Sequence, residues 1–427
     1  MTPGGDDARA PRVVVGVGGG IAAYKACGLI RLLTESGCHV DVVPTQAALE
    51  FVGTATFEAL SGNPVTTGVF SDVPSVRHVA LGQRADLVVV APATADLLAR
   101  AASGRADDLL TSTLLTARCP VLLAPAMHTE MWEHPATRRN VGTLRGDGLH
   151  VMPPASGRLT GADTGAGRLP EPADIARLAH LLLDGGRMPW DLHGEHVVVT
   201  AGGTREDVDP VRFLGNRSSG KQGYAIAAVA AARGARVTLV TSADLPTPAA
   251  VEAVPIESAR ELRDETLRLA EGADVVIKAA AVADFRPADV AGSKLKKGSS
   301  TEPESIGLTV NPDILAELVD ARTAGRVPAD CLLVGFAAET GDASGTVLEH
   351  GRAKLARKGC DLLVVNEVGR GTTFGEDVNG GWILDTAGGE VLLDRVSKDL
   401  VASRVLDAVV AASGSATTGR RGAHRTD

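Results

Sequence analysis

Cysteine is scarce and unpatterned. The 427 residues hold five, Cys27, Cys38, Cys119, Cys331 and Cys360, an odd number with no C-x-x-C pair. A zinc site and a disulfide framework are therefore not expected, and a reducing cytoplasm suits the chain best. A basic excess is also lacking, since the formal net charge is −9, which argues against a general nucleic-acid binder. No run is apolar for the length a membrane helix needs. The opening "MTPGGDDARAP" carries acids and no apolar stretch, so a secretory leader is not expected. What is present is ordinary: 44% hydrophobic and 22% charged residues, enough for a core in each of two or three domains.

Short β-branched runs alternate with Ala- and Leu-rich stretches of helical spacing, and the pattern occurs twice. "RVVVGVGGG", "CHVDVVPT", "ADLVVVAPATAD", "CPVLLAPAM" and "LHVMPPA" occupy the first half; "HVVVTAGGT", "ARVTLVTSAD", "ADVVIKAAAVAD", "CLLVGFAAE" and "DLLVVNE" occupy the second. Apolar strands alternating with helices predict parallel sheets covered on both faces. The fold class expected is α/β, with two tandem doubly wound, Rossmann-like domains, the first flavodoxin-like. "GGWILDTAGGEVLLDRVSK" predicts a C-terminal β-hairpin on the edge of the second sheet. The expected divisions are a disordered tail over 1–11, domains over 12–190 and 191–412, and a second tail over 413–427. Ligands in such sheets bind at the carboxyl ends of the strands, where loops enter helices.

In the first half, "GVGGGIAAYK" leaves strand one and opens a helix, a place where backbone N–H groups can meet an anion. The dinucleotide pattern G-x-G-x-x-G fails at Ile21, and strand two ends in Thr45 rather than an acid, so NAD is disfavoured. A tight turn without ligand is the competing interpretation of the loop. "APATAD", "APAMHTEMWEHP" and "PASGRLTGADTGAGRLPEP" supply further rim loops, and His78 stands alone just ahead of strand three.

These motifs resemble the flavin-dependent cysteine decarboxylases, above all those acting on phosphopantothenoylcysteine, across the first half. The resemblance implies FMN held by Gly18, Gly19, Gly20, Ile21, Thr45, Ala93 and Thr94, a catalytic His78, and substrate contacts from His128 and Met131. It also implies thiol oxidation by the flavin, which makes the adjacent carboxylate a leaving group. Two departures stand out. His128 replaces the family's asparagine, and Thr160-Gly161-Ala162-Asp163 replaces a loop carrying the proton-donating cysteine. Either another acid, such as His128 or Thr160, donates the proton, or this half is inactive or releases the ene-thiol.

In the second half, "GNRSSGKQG" has the spacing of a nucleotide-binding P-loop but carries Gln222 where Ser or Thr would hold magnesium. It also lies too far from strand one. A loop this long without a function is uncommon. Together with "KAAAVADFRPADVAGSKLKK", "VNPDIL", "VGFAAET" and "RAKLARKGCDLLVVNEV", it resembles the phosphopantothenate–cysteine ligases. The order of the two halves resembles the bifunctional coenzyme A biosynthesis family. The resemblance implies CTP as co-substrate, magnesium with unassigned ligands, and catalysis by Asn216 and Lys294 on an acyl-cytidylate. Arg212 is expected on a substrate anion, and Asp284 on the cytosine amino group, with a helix N-cap as its bland alternative. Ala280, Ala281, Asn311, Pro312, Asp313, Ile314, Phe336, Lys354 and Lys358 complete the expected pocket. Decarboxylase trimers and ligase dimers, with no nucleic-acid or membrane partner, are implied in the same way. A non-catalytic nucleotide-binding regulator is the reading from another class, and the Asn216–Lys294 set counts against it.

Overall fold

The computed structural model describes residues 9–65, 77–158, 164–296, 305–341, 345–367 and 378–417. The chain divides into two compact units, 1–190 and 191–427.

In the first unit, β1 (Arg12–Val17), β2 (His39–Pro44), β3 (Leu87–Ala93), β4 (Val121–Pro125) and β5 (His150–Val151) form one sheet. Its order is β2-β1-β3-β4-β5 and every pairing is parallel, the flavodoxin-like arrangement. Every residue of β3 is buried, as expected for a central strand covered on both faces. The helices are α1 (Tyr24–Glu35), α2 (Thr54–Ser61), α3 (Arg77–Arg84), α4 (Ala95–Ala102), α5 (Leu109–Thr116), α6 (Thr129–Glu133), α7 (Pro135–Gly146) and α8 (Pro172–Leu183). Their starts follow local chemistry: Thr94 caps α4, and Asp108 and Thr111 cap α5 reciprocally. The segment 154–172, read from sequence as a loop, contains a small hairpin of β6 (Ala155–Arg158) and β7 (Thr164–Arg168).

The second unit contains β8 (His196–Ala201), β9 (Arg205–Asp209), β10 (Arg212–Gly215), β11 (Arg236–Thr241), β12 (Val251–Pro255), β13 (Val275–Lys278), β14 (Phe285–Pro287), β15 (Leu308–Val310), β16 (Leu332–Glu339), β17 (Leu362–Glu367), β18 (Val378–Asp385) and β19 (Glu390–Ser397). Eight of them form a sheet ordered β12-β11-β8-β13-β16-β17-β18-β19. It is parallel through β17 and ends in the antiparallel β18–β19 hairpin, as the alternating "GGWILD" and "EVLLDRV" runs predict. Around it lie α9 (Lys221–Ala232), α10 (Ala259–Ala270), α11 (Ile314–Thr323), α12 (Val347–Lys358) and α13 (Lys398–Thr417). Capping boxes at Ser258–Glu261 and Thr346–Glu349 open α10 and α12.

Two expectations change here. Residues 413–417, read as part of a disordered tail, continue α13. The long loop after β8 contains the β9–β10 hairpin, because "REDVD" and "RFLG" pair across a tight turn at Asp209. The remainder of the tails, 1–8 and 418–427, lies outside the described residues.

One polar cluster fastens the second unit internally. Arg233, 1% exposed, holds Asp191 through Nε and Nη2 (2.9 and 2.7 Å) and Asp407 through Nη1 (2.8 Å). A buried guanidinium is tolerable because its fork meets two carboxylates.

Candidate functional site

Among the described residues each of the two large sheets carries a large cavity at its carboxyl rim, beside the point where strand order reverses. In the first unit the space is about 1160 Å³ and is bordered by Gly19, Gly20, Ile21, Thr45 and Thr94 from three successive strand-end loops. The loops approach closely because they lack side chains. A Cβ on Gly18 would stand 2.4 Å from the Pro92 carbonyl oxygen, and one on Gly19 would stand 2.4 Å from Ala47 Cβ. Gly18 N–H donates to the Pro92 carbonyl (3.1 Å), and Thr45 N–H to Val17 (2.9 Å). The Thr45 and Thr94 hydroxyls accept from Ala48 and Leu97 N–H as helix caps. Each keeps its own O–H free to donate, so the cradle fits a phosphate. Of the residues expected on a flavin, Gly18 and Ala93 are not on the cavity wall; Gly18 packs behind it against Pro92 and Ala93 is wholly buried in β3, while Pro92 and Thr94 face the cavity.

His128 and Met131 reach the same cavity from the loop after β4 and from α6. Met127 N–H donates to the Gly167 carbonyl (2.9 Å), which ties this loop to β7. The guanidinium of Arg100 on the rim is engaged by Asp96, Asp107 and Asp108, and its pairing with Asp107 holds that carboxyl below the usual range. Lys25 is paired with Glu171 (2.9 Å). His78 is placed elsewhere: it lies on α3, outside the cavity lining, and its Nδ1 is buried without a hydrogen-bond partner. Thr160, Gly161, Ala162 and Asp163 lie outside the described residues.

In the second unit a cavity of about 620 Å³ brings together Ala280, Ala281, Asp284, Asn311, Pro312, Asp313, Ile314, Phe336, Lys354 and Lys358. Local bonds explain the convergence. Thr200 Oγ1 accepts from Ala280 N–H and Thr204 Oγ1 from Ala283 N–H (both 3.0 Å), so buried hydroxyls of β8 and its loop hold the segment after β13. Asn311, 8% exposed, donates to the Ala283 carbonyl (2.8 Å) and accepts from Arg286 (3.0 Å), which fastens the "NPDI" turn to the same segment. Asp313 caps α11 and pairs with Lys358, and the Lys358 ammonium keeps its carboxyl below the usual range despite desolvation. Lys354 pairs with Glu339 (2.6 Å). Asp284 precedes β14 rather than a helix, so the N-cap alternative for it falls.

The near-P-loop resolves differently from its spacing. Gly220, in the left-handed region at φ 76°, ends the loop and opens α9. Gln222 spends its amide on α13 and the edge hairpin, donating to the Lys398 carbonyl (3.0 Å) and accepting from Asn379 (2.8 Å). Ser218, Ser219 and Lys221 do border the cavity. Asn216 lies in an adjoining hollow of about 310 Å³ that shares Ser218 and Ser219, and its amide donates to the Val282 carbonyl (2.9 Å).

Arg212 and Lys294 are not on the cavity wall. The Arg212 guanidinium, expected on a substrate anion, is held by Asp209 and by the Leu295 carbonyl (2.8 Å). Asp209 also accepts from Leu295 N–H (3.1 Å), and Arg212 with these N–H donors holds its carboxyl far below the usual range. Lys294 is exposed beside this clamp, and Lys297 lies outside the described residues. Sequence reasoning missed the clamp because Asp209 and Leu295 are 86 residues apart. It also missed Lys278, Asn366, Asn379 and Lys398 on the cavity wall. A lysine ending the apolar run "DVVIK" was the available signal for Lys278. No cluster of metal-ligating side chains occurs among the described residues.

Comparison with known proteins gives consistent matches. Residues 2–181 match the Flavoprotein family model, and residues 192–412 match the C-terminal domain of DNA/pantothenate metabolism flavoproteins. The coenzyme A biosynthesis bifunctional protein CoaBC of Mycolicibacterium smegmatis is 64% identical over 94% of this chain and 97% of its own length. That of Bacillus subtilis is 43% identical over 94% and 97%. A crystal structure of the C-terminal domain of a CoaBC protein is 35% identical, with 52% of this chain and 96% of that one covered and a TM-score of 0.42.

Proposed function

The chain belongs to the family of bifunctional coenzyme A biosynthesis proteins, which unite phosphopantothenoylcysteine decarboxylase and phosphopantothenate–cysteine ligase, and on that premise we propose how its two sites divide the work. The second unit condenses 4'-phosphopantothenate with L-cysteine at the expense of CTP through an acyl-cytidylate, with Mg2+ accompanying the triphosphate. The first unit holds FMN and decarboxylates the product to 4'-phosphopantetheine. The observation that carries the reading is the gathering of the "AAAVAD", "NPDI" and "GFAAE" segments with Lys354 and Lys358 around one cavity.

In that cavity the wall supplies what activation of a carboxylate needs. Lys354 and Lys358 meet negative charge on the nucleotide, and the Ser218–Lys221 turn at the start of α9 offers backbone donors to phosphate. Asp284 accepts from the cytosine amino group, which selects CTP over UTP. Asn216 and Lys294 act on the acyl-cytidylate, with the clamp of Asp209 and Arg212 presenting Lys294. In the first unit Gly18, Gly19, Gly20, Thr45 and Thr94 hold the FMN phosphate, and His128 and Met131 contact substrate. FMN, when bound, supplies the electron sink that makes loss of carbon dioxide possible.

The decarboxylase cavity is flanked by exposed Ile21 (73%), Tyr24 (58%) and Met131 (47%). This exposed apolar flank supports the homo-oligomeric reading, with a neighbouring copy of the chain covering this face. Among the described residues no helix is long and apolar enough to cross a membrane, and a cytoplasmic enzyme is the reading we favour.

Mass spectrometry of products formed from 4'-phosphopantothenate, cysteine, CTP and magnesium tests the whole. Phosphopantetheine is the expected product. Accumulated phosphopantothenoylcysteine would leave the ligase alone, an ene-thiol would make the missing loop cysteine decisive, and unconsumed CTP would refute the second-unit reading.

A further inference from the structure

The ammonium groups around the second cavity differ in one respect. Lys354 is paired with Glu339, Lys358 with Asp313, and Lys398 donates to Asn379 Oδ1 (2.9 Å). Lys278 also borders the cavity, half-buried, but its ammonium makes no hydrogen bond or salt bridge with a described residue. It is the last residue of β13, in register with Thr200 of β8, a short side chain, and Gly335 of β16, which has none. That is the crevice where strand order reverses, the usual ligand position in a doubly wound sheet.

A desolvated ammonium without a partner is costly, and the described residues around it offset that cost only in part. Asp313 already serves Lys358 and caps α11. We propose that Lys278 is a nucleotide-contacting residue whose ammonium meets the phosphate chain of the nucleoside triphosphate bound in this cavity. The inference rests on the ligase reading of the site. Burial brings the Lys278 pKa down to about 8; Asp313 and, more weakly, Asp284 oppose the shift, while Lys358 and Lys354 add to it. The other charged groups on the wall are Lys398 on α13 and Arg217 and Lys221 at the entry to α9, with Glu339 behind Lys354. A polyphosphate arriving beside Lys278 raises its pKa, so binding near pH 8 draws a proton from solution.

The test is calorimetric titration of the full-length protein with CTP and magnesium at pH 8, in two buffers of different ionisation enthalpy. Wild type is expected to take up protons on binding the nucleotide, since a lysine whose pKa is lowered by burial is partly deprotonated at pH 8 and is recharged beside a polyphosphate. Lys278→Met should abolish that uptake and weaken CTP about 10-fold or more, CDP less, and cytidine not at all. Lys278→Arg should retain tight binding without proton uptake, because a guanidinium stays charged; it also carries the comparison if the Met variant does not fold. A Met variant that matches wild type in affinity and proton uptake overturns the proposal, as does an equal loss for cytidine and CTP. Wild type that binds no CTP overturns the ligase reading as well, which separates the two failures.

Discussion

Replacing Gly18 by alanine tests the flavin cradle at its tightest contact. The new methyl would stand 2.4 Å from the Pro92 carbonyl oxygen and 3.5 Å from Thr94 Cγ2. Comfortable contact needs about 1 Å more. The obstacle is backbone, and it already accepts the Gly18 N–H at 3.1 Å, so it cannot move aside without straining that bond. Overpacking of this kind costs about 1–3 kcal/mol. Relief requires the "GVGGG" loop to move away from the β3 end, which spreads the phosphate cradle between Gly19 and Thr94. If about 2 kcal/mol of the cost falls on the bound state, flavin affinity drops roughly 30-fold. Fluorescence titration of apoprotein with FMN measures this, and ligase turnover serves as a folding control. Gly142→Ala is the companion: it sits within α7 with nothing within 4 Å of the added Cβ. That change should stabilise by about 0.5–1 kcal/mol and leave flavin affinity unchanged. Gly18→Ala binding FMN within about threefold of wild type would refute the close-approach reasoning.

Lys354→Met should raise the KM for CTP about 10-fold with a smaller change in kcat; steady-state kinetics with CTP varied would contradict this if KM stayed constant. Arg233→Met should destabilise the second unit by about 3 kcal/mol, near the lower end for a broken buried pair. Asp191 and Asp407 each keep more than a quarter of their side-chain exposure and regain solvent. Urea unfolding would report it, and an unchanged midpoint would show the cluster to be dispensable. Asp209 has a folded pKa far below its unfolded one, so its stabilising contribution is complete above the unfolded carboxylate pKa of about 4 and is lost as pH falls toward the folded value. The melting-temperature gap between wild type and Asp209→Asn should therefore narrow below about pH 4; a gap that widened there would reverse the sign. Ser258→Ala removes one half of the α10 capping box and should cost about 1 kcal/mol in the same unfolding assay.

Alternating apolar runs of strand and helix length determined the two doubly wound units, because a strand buried on both faces must be apolar throughout, as β3 is. The same local logic made the edge hairpin legible, since alternation marks a sheet face and "TAGG" marks its turn. The cavity segments were legible through their motifs, and their loops needed only the rule that ligands bind at strand ends. What the sequence could not determine was which side chains are already occupied. Arg212 has the same fork whether it faces a substrate anion or Asp209, and only the fold brings Leu295 and Asp209 together. Gln222 keeps P-loop spacing while its amide is spent on Lys398 and Asn379, more than 150 residues away. Lys278 ends an apolar strand either way, but its desolvation, its lack of a partner among the described residues and its place at the strand-order reversal are products of packing. Spacing along the chain sets local geometry; tertiary structure decides hydrogen-bond partners and solvent access, because both depend on groups remote in sequence.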